Sequence, residues 1–340
     1  MARRITLKDV ASRAGVSESA ASFALNGRPG VSDATRARVL EVAEALEWRP
    51  NHAARTLSGA GTSTIGLVIA RGTQEIGSES FFLRLLAGIQ DELSPRHYGL
   101  LLQIVASLDE EVATYRGWST AARVDGVLVV DLHTDDPRPA ALEQLDLPAV
   151  LVGVADPEHR RPAVTIDDGA AMERVVAHLI DTGHRHVVHL CGDLTARHVA
   201  ARAAAFRGAA EGAGVVAEVV DTGFAPAVAA RAVAASCEGE QRPDAYVFDN
   251  EVLALAGMHS LTQAGLRVPD DACVVVWEDS PVARAIDPAL TALDRDPFTL
   301  GAHAARRLLE VLAGADGDVE EPLPSLVVRQ STRCARTVPA

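Results

Sequence analysis

Residues 5–27 read Ile5-Thr6-Leu7-Lys8-Asp9-Val10-Ala11-Ser12-Arg13-Ala14-Gly15-Val16-Ser17-Glu18-Ser19-Ala20-Ala21-Ser22-Phe23-Ala24-Leu25-Asn26-Gly27. Leu7, Val10, Ala11 and Ala14 fall at i, i+3, i+4 and i+7, which is one face of a helix. Gly15-Val16-Ser17 breaks that helix, because Gly15 suits a tight turn and Ser17 is a natural N-cap for the next one. The second helix runs to Asn26-Gly27, a good C-cap pair. Two short helices joined by a glycine-containing turn, with polar residues leading the second, are predicted to form a helix-turn-helix. In such a unit the second helix is narrow enough to enter a major groove while the first crosses the backbone. A pair of N-terminal helices is also a common structural unit, so the pattern needs support from the rest of the chain.

Moving outward, Ser32 caps a third helix with Val39, Val42, Ala43 and Leu46 on one face, and Pro50 ends it. Residues 51–59 could make two turns of helix but have no apolar face wide enough to bury, and Gly59-Ala60-Gly61-Thr62-Ser63-Thr64 reads as a flexible link. From Ile65 the pattern changes to β-rich runs alternating with helical stretches. Strands are expected at 65–70, 99–105, 126–130, 149–153, 186–191, 215–220, 245–248, 273–277, 290–293 and 325–329. Helices fill most gaps, among them 80–93, 169–182, 198–213, 251–264 and 297–313. Alternating βα units imply parallel sheets with right-handed crossovers, and so many strands imply two doubly wound lobes.

The 340-residue chain carries a net charge of −14, which by itself speaks against nucleic acid. Residues 1–60, however, hold nine Lys/Arg and six acids, a net of +3, which leaves −17 on the remainder. A basic head on an acidic body fits a DNA reader whose body should not stick to phosphate. The four cysteines, Cys191, Cys237, Cys273 and Cys334, form no C-x-x-C pair, so neither a disulfide framework nor a zinc ribbon is expected. The apolar runs are too short to cross a bilayer and no apolar segment follows Met1-Ala2-Arg3-Arg4, so a cytoplasmic protein without membrane contact is expected.

The residues carry a specific resemblance. Ile5-Thr6-Leu7-Lys8-Asp9-Val10-Ala11, Ala14-Gly15-Val16-Ser17, Leu25-Asn26-Gly27, Val31-Ser32, Thr35-Arg36 and Arg49-Pro50-Asn51 stand at the spacings of the lactose-repressor family of bacterial transcription regulators. Ala54-Arg55-Thr56-Leu57, Thr64-Ile65-Gly66-Leu67-Val68, Gly183-His184-Arg185, Gly265-Leu266-Arg267-Val268-Pro269, Pro288-Ala289-Leu290-Thr291 and Leu326-Val327-Val328-Arg329-Gln330-Ser331-Thr332 continue the match. The resemblance implies an α/β protein: an all-α helix-turn-helix headpiece and a two-lobed periplasmic-binding-protein-like sensor with parallel doubly wound sheets. It implies a headpiece over 1–50, a hinge helix and linker over 51–63, and an effector-binding and dimerisation domain over 64–340. The N-lobe is expected at about 64–157 and 291–314, the C-lobe at about 160–288 and 322–335.

The resemblance further implies a homodimer on a pseudo-palindromic operator, since a single headpiece covers little DNA. It places Thr6, Ser17, Ser22, Asn26 and Thr35 near phosphates, and Glu18, Ser19 and Phe23 facing bases. Phe23 stands where the family usually has Arg, so an altered operator is expected; packing in the headpiece core is the other reading. Glu18 either accepts from a cytosine amine or faces solvent. Asn51, His52, Ala54, Arg55 and Leu57 belong to the hinge, with Leu57 as a minor-groove wedge.

In the sensor, polar groups at the carboxyl ends of parallel strands face the cleft. Arg202 matches the family's effector-binding arginine, and Asp249, Trp277 and Glu278 follow strands of the C-lobe. Trp277 is either a stacking wall or core; of Phe81 and Phe82 one is expected on the cleft and the other in the core, and Asp131 ends a strand as a further lining residue. Arginine and carboxylates around aromatic surface favour a sugar effector, with a nucleobase or nucleoside acting as co-repressor as the alternative. No cofactor and no metal are expected; His184, His186 and His189 sit close in sequence, but along a strand His186 and His189 point to opposite faces. No G-x-S-x-G elbow, phosphate-binding loop or paired acids at a diagnostic spacing points to an enzyme. A secreted sugar-binding protein is a further rival that the headpiece argues against.

Overall fold

Helix α1 (Leu7–Ala14) starts where the backbone N–H and hydroxyl of Thr6 both donate to Asp9 Oδ2 at 2.8 Å. It stops at Gly15, whose φ of 67° places it in the left-handed region that glycine tolerates best. Ser17 Oγ then accepts from Ala20 N at 3.1 Å and opens α2 (Glu18–Leu25). Ser32 Oγ accepts from Thr35 N and opens α3 (Asp33–Ala45). The three helices bury Val10, Ala11, Ala14, Ala21, Ala24, Val39 and Ala43 against one another. The computed structural model describes residues 5–25, 29–46, 48, 61–72, 80–158, 160–239 and 241–332. The chain divides into two compact units, Met1–Ser63 and Thr64–Ala340.

The second unit holds two six-stranded sheets. The first takes β1 (Thr64–Ala70), β2 (Gly99–Val105), β3 (Gly126–Val129), β4 (Ala149–Gly153), β5 (Ala163–Thr165) and β11 (Val319–Glu320). Its order is β11-β5-β4-β3-β1-β2, all parallel. The second takes β6 (His186–Cys191), β7 (Val216–Asp221), β8 (Ala245–Phe248), β9 (Cys273–Val276), β10 (Thr291–Leu293) and β12 (Leu326–Val327). Its order is β12-β10-β9-β8-β6-β7, and only the edge strand β12 runs antiparallel. β3, β4, β8 and β9 are buried almost throughout, as befits parallel strands covered on both faces. Helices α4 (Ser80–Leu93), α5 (Leu108–Thr120), α6 (Arg138–Gln144) and α12 (Pro297–Leu312) cover the first sheet. Helices α7 (Asp168–Asp181), α8 (Arg197–Gly212), α9 (Pro226–Cys237), α10 (Glu251–Gln263) and α11 (Pro281–Ala285) cover the second.

The lobe boundaries differ from those read in the sequence. β5 lies within the segment expected in the C-lobe, yet Leu151 pairs with Ala163 and joins it to the N-lobe sheet. β10 lies in the segment expected in the N-lobe, yet Thr291 pairs with Val275 in the C-lobe sheet. The chain thus passes between sheets three times: after β5, after β10 and after β11. β5 and β11, at three and two residues, are too short to show a hydrophobic period.

Two glycines set the spacing of α4 and α12. A Cβ on Gly88 would sit 1.8 Å from Phe298 O, and one on Gly301 would sit 2.2 Å from Leu85 O. The helices therefore touch backbone to backbone. Arg138, 1% exposed, performs a second piece of internal bracing. Its guanidinium reaches Glu111 at 3.0 Å and Asp136 at 2.7 Å, and donates to the carbonyls of Val130 (3.0 Å) and Asp131 (2.7 Å). That clamps the chain as it leaves β3. No described helix is long and apolar enough to cross a membrane. Gly301→Ala is expected to cost about 1–3 kcal/mol through overpacking, seen as a lower midpoint in urea unfolding. Gly208→Ala on α8, where a Cβ meets nothing within 4 Å, is expected to be neutral or to stabilise.

Candidate functional site

The described headpiece residues named from the sequence lie at the starts of the three helices and, for Ser22 and Phe23, in the second half of α2. Thr6, Ser17, Glu18, Ser19 and Phe23 are exposed, and Ser22 and Thr35 are half-buried. Glu18, Ser19, Ser22 and Phe23 form one stripe of α2, opposite the buried Ala21 and Ala24. Phe23 keeps 39% of its surface exposed and takes no part in the headpiece core, so the core-packing reading of this side chain fails. Asn26, Asn51, His52, Ala54, Arg55 and Leu57 lie outside the described residues.

The sensor unit has a cleft, partly open to solvent, where the carboxyl ends of strands from both sheets converge. Arg71 follows β1, Val130 and Asp131 follow β3, and Val152 and Gly153 end β4. From the other lobe, Asp249 and Asn250 follow β8, and Trp277 and Glu278 follow β9. Arg295 follows β10, while His198 and Arg202 come from the first turns of α8. Of the residues expected here, Phe81, Asp131, Arg202, Asp249, Trp277 and Glu278 line the cleft. Phe82 does not. It is 1% exposed in the N-lobe core and meets Phe81 edge to face at 5.3 Å, because the two rings point to different sides of α4's first turn.

Arg202 is the hub. It is 4% exposed, donates to Asp168 Oδ2 at 3.0 Å, lies 3.6 Å from Asp249 Oδ2, and stacks 4.3 Å from the Trp277 ring centre. Asp249 in turn holds His189 Nε2 at 2.8 Å and accepts from Gly192 N at 3.0 Å. Burial raises the Asp249 carboxyl, but His189, Arg202 and that N–H outweigh it and hold the group well below the usual carboxylate range. Across the cleft, Arg71 pairs with Asp131 at 2.8 Å and stacks 4.2 Å from the Phe224 ring centre. Burial likewise raises Asp131, and Arg71, His198 and Arg138 bring it below its ordinary value. Burial lowers the Arg295 guanidinium. Trp277 Nε1, Arg202 Nε and Asp168 Oδ1 are buried without a hydrogen-bond partner among the described residues.

Arg71, Asp168, His198, Phe224, Asn250 and Arg295 were not read from the sequence. Applying the carboxyl-end rule to β1 and β10 would have found Arg71 and Arg295. Phe224 had no such signal; it sits in a loop with φ 60°, its ring occupying the space a side chain on Gly192 would fill. The three histidines near β6 go separate ways. His184 Nδ1 faces Leu179 O, His186 meets Glu218 at 2.7 Å, and His189 meets Asp249. Among the described residues no group of His, Cys, Asp and Glu is arranged to hold a metal.

Burial, reinforced by Arg202, lowers His198 to about 4, against the pull of Asp131. The unfolded imidazole takes up a proton near pH 6.5, which the folded one refuses until about pH 4. Stability is therefore expected to fall on acidification through that window. His198→Gln should remove on the order of 2 kcal/mol of that loss, measured as unfolding midpoints between pH 7 and 4.

Comparison with known proteins agrees with these features. The family profile described as "Bacterial regulatory proteins, lacI family" matches residues 6–51, and that described as "Periplasmic binding protein-like domain" matches 176–332. The HTH-type transcriptional regulator CelR of Thermobifida fusca is 32% identical over 97% of this chain and 98% of its own. A structure of a CelR–cellobiose complex superposes with a TM-score of 0.70 at 29% identity, covering 96% of this chain and all of that one. The HTH-type transcriptional repressor PurR of Mannheimia succiniciproducens is 29% identical over 96% of this chain and 98% of its own. The lac repressor dimer bound to operator and the anti-inducer ONPF shares the fold, with a TM-score of 0.83 at 24% identity over 97% of this chain and 99% of that one. With a helix-turn-helix head, a two-sheet body and a relative matched from end to end, the chain belongs to the lacI family of bacterial regulatory proteins.

Proposed function

We propose that this protein is a transcriptional regulator, most simply a repressor. In this reading it binds a pseudo-palindromic operator as a homodimer and is controlled by a neutral sugar held in the cleft. Residues 1–50 are the DNA-binding headpiece, 51–63 the hinge and linker, and 64–340 the sensor. The protein acts by binding rather than turnover, and it works in the cytoplasm, where its operator is.

The observation that carries the sugar assignment is how the cleft's charges are already matched. Arg71 is paired with Asp131, and Arg202 and Arg295 approach Asp168 at 3.0 and 3.7 Å. Asp249 and Glu278 add further negative charge, so among the described lining residues the acids outnumber the arginines, a poor setting for a phosphate or a sugar acid. What the site offers is unmet hydrogen bonding beside aromatic faces: the Trp277 indole N–H, the Arg202 Nε–H and an Asp168 oxygen. Vicinal hydroxyls both donate and accept, and the apolar face of a pyranose suits the half-buried Phe224 ring, whereas Trp277 is 2% exposed with Arg202 over its ring. The CelR–cellobiose complex supports the same class.

A ligand that touches Arg71 and Asp131 of one lobe and Arg202 and Trp277 of the other shifts the equilibrium between lobe angles. Coupling of that kind typically amounts to about 1–3 kcal/mol, or roughly 5–150-fold in operator affinity. Calorimetry with neutral mono- and disaccharides, sugar phosphates and nucleobases tests the ligand class. A neutral sugar is expected to bind, and Trp277→Phe, which removes only the indole N–H and some area, should weaken it about three- to tenfold. Binding confined to nucleobases would overturn the sugar assignment. For the DNA arm, Leu57→Ala should weaken operator binding at least about tenfold by removing a minor-groove wedge and leave sugar affinity unchanged. An unaltered gel-shift affinity would exclude the hinge role.

A further inference from the structure

The exposed stripe of α2 is Glu18, Ser19, Ser22 and Phe23, and α2 contains no lysine or arginine. Among the described residues of the headpiece the cations lie elsewhere: Lys8 and Arg13 on α1, and Arg36 and Arg38 on α3. Arg36 donates to Ala24 O at 3.2 Å, which holds that charge at the carboxyl end of α2 and off its stripe. Phe23 is exposed, and its ring edge lies 3.6 Å from where a Cβ on Gly30 would sit.

Reading guanine in the major groove needs donors aimed at O6 and N7, which arginine and lysine supply best. This stripe has none of those side chains. Its chemistry suits the two other features a base pair shows there: an apolar ring meets the C5 methyl of thymine, and a carboxylate accepts from the N4 amine of cytosine. Building on the regulator reading above, we propose that Phe23 reads a thymine methyl and Glu18 a neighbouring cytosine amine. The operator half-site is then specified through a pyrimidine-containing step on one strand, while Lys8, Arg13 and Arg38 serve the phosphates.

The test uses the full-length protein in the effector state that binds more tightly. An operator is selected from random duplexes, and each thymine of a half-site is then replaced by deoxyuridine, which removes only the C5 methyl. Fluorescence anisotropy is expected to show one position per half-site where the replacement weakens binding about fourfold, the worth of one buried methyl. Phe23→Ala should bind the thymine and uracil operators equally, and Glu18→Ala should lose its preference for cytosine at the adjacent position. Uracil operators bound as tightly as thymine ones at every position overturn the methyl contact alone. So does a uracil penalty that persists in Phe23→Ala. A cytosine preference that survives Glu18→Ala overturns the amine contact. Failure to select any duplex overturns the regulator reading, and this assignment with it.

Discussion

A guanidinium that has lost its water must be paid back in hydrogen bonds and opposite charge, and the sensor cleft is organised around one such group. Arg202 sits over the Trp277 ring between Asp168 and Asp249, almost wholly out of solvent. Breaking a buried pair by removing one partner typically costs about 3–5 kcal/mol, because the survivor stays buried and unpaired. Each neighbour is therefore fixed by the others. α7 supplies Asp168, α8 Arg202, and the residues just after β8 and β9 supply Asp249 and Trp277; Asp249 carries the constraint to His189 on β6. The wall that meets a ligand is thus rigid before the ligand arrives, which lowers the ordering cost of binding.

The broad plan was legible because parallel strands buried on both faces leave unbroken apolar runs, as at Val127–Val130 and Cys273–Val276. The carboxyl-end rule then located Asp131, Asp249, Trp277 and Glu278. It could not locate side chains that reach the cleft from elsewhere. Asp168 and His198 begin helices, and Phe224 enters from a loop through a left-handed backbone. Phe81 and Phe82 are adjacent and chemically identical, so only the rotation of α4 decides which one faces the cleft. The lobe boundaries were misread for a related reason: β5 and β10 are three residues each, and their sheet is chosen by neighbours far away in the sequence.

In the headpiece, the local rules and the structure agree closely, since caps and turns act over three or four residues. Thr6 with Asp9, Gly15, Ser17 and Ser32 each act on groups within a turn of themselves. Charge is divided between the units: a net of +3 in residues 1–60 and −17 in the rest. Long-range attraction to phosphate can then orient the head while the body is repelled. Among the described residues of the head the division repeats, with cations on α1 and α3 and a stripe on α2 that carries no positive charge.

The three passages between the sheets have a consequence for anyone taking the protein apart. Neither lobe is a continuous stretch: the first sheet ends with β11 and the second with β12, long after each began. A fragment ending anywhere between β5 and β11 lacks a strand of the first sheet, and one ending before α12 also strips the cover from α4. The lobes cannot be expressed separately as simple truncations, and each would have to be rebuilt from pieces by circular permutation. The division at Ser63–Thr64 has no such entanglement. In the currency of gene fusion, the head can be exchanged at one junction while the sensor has to travel whole.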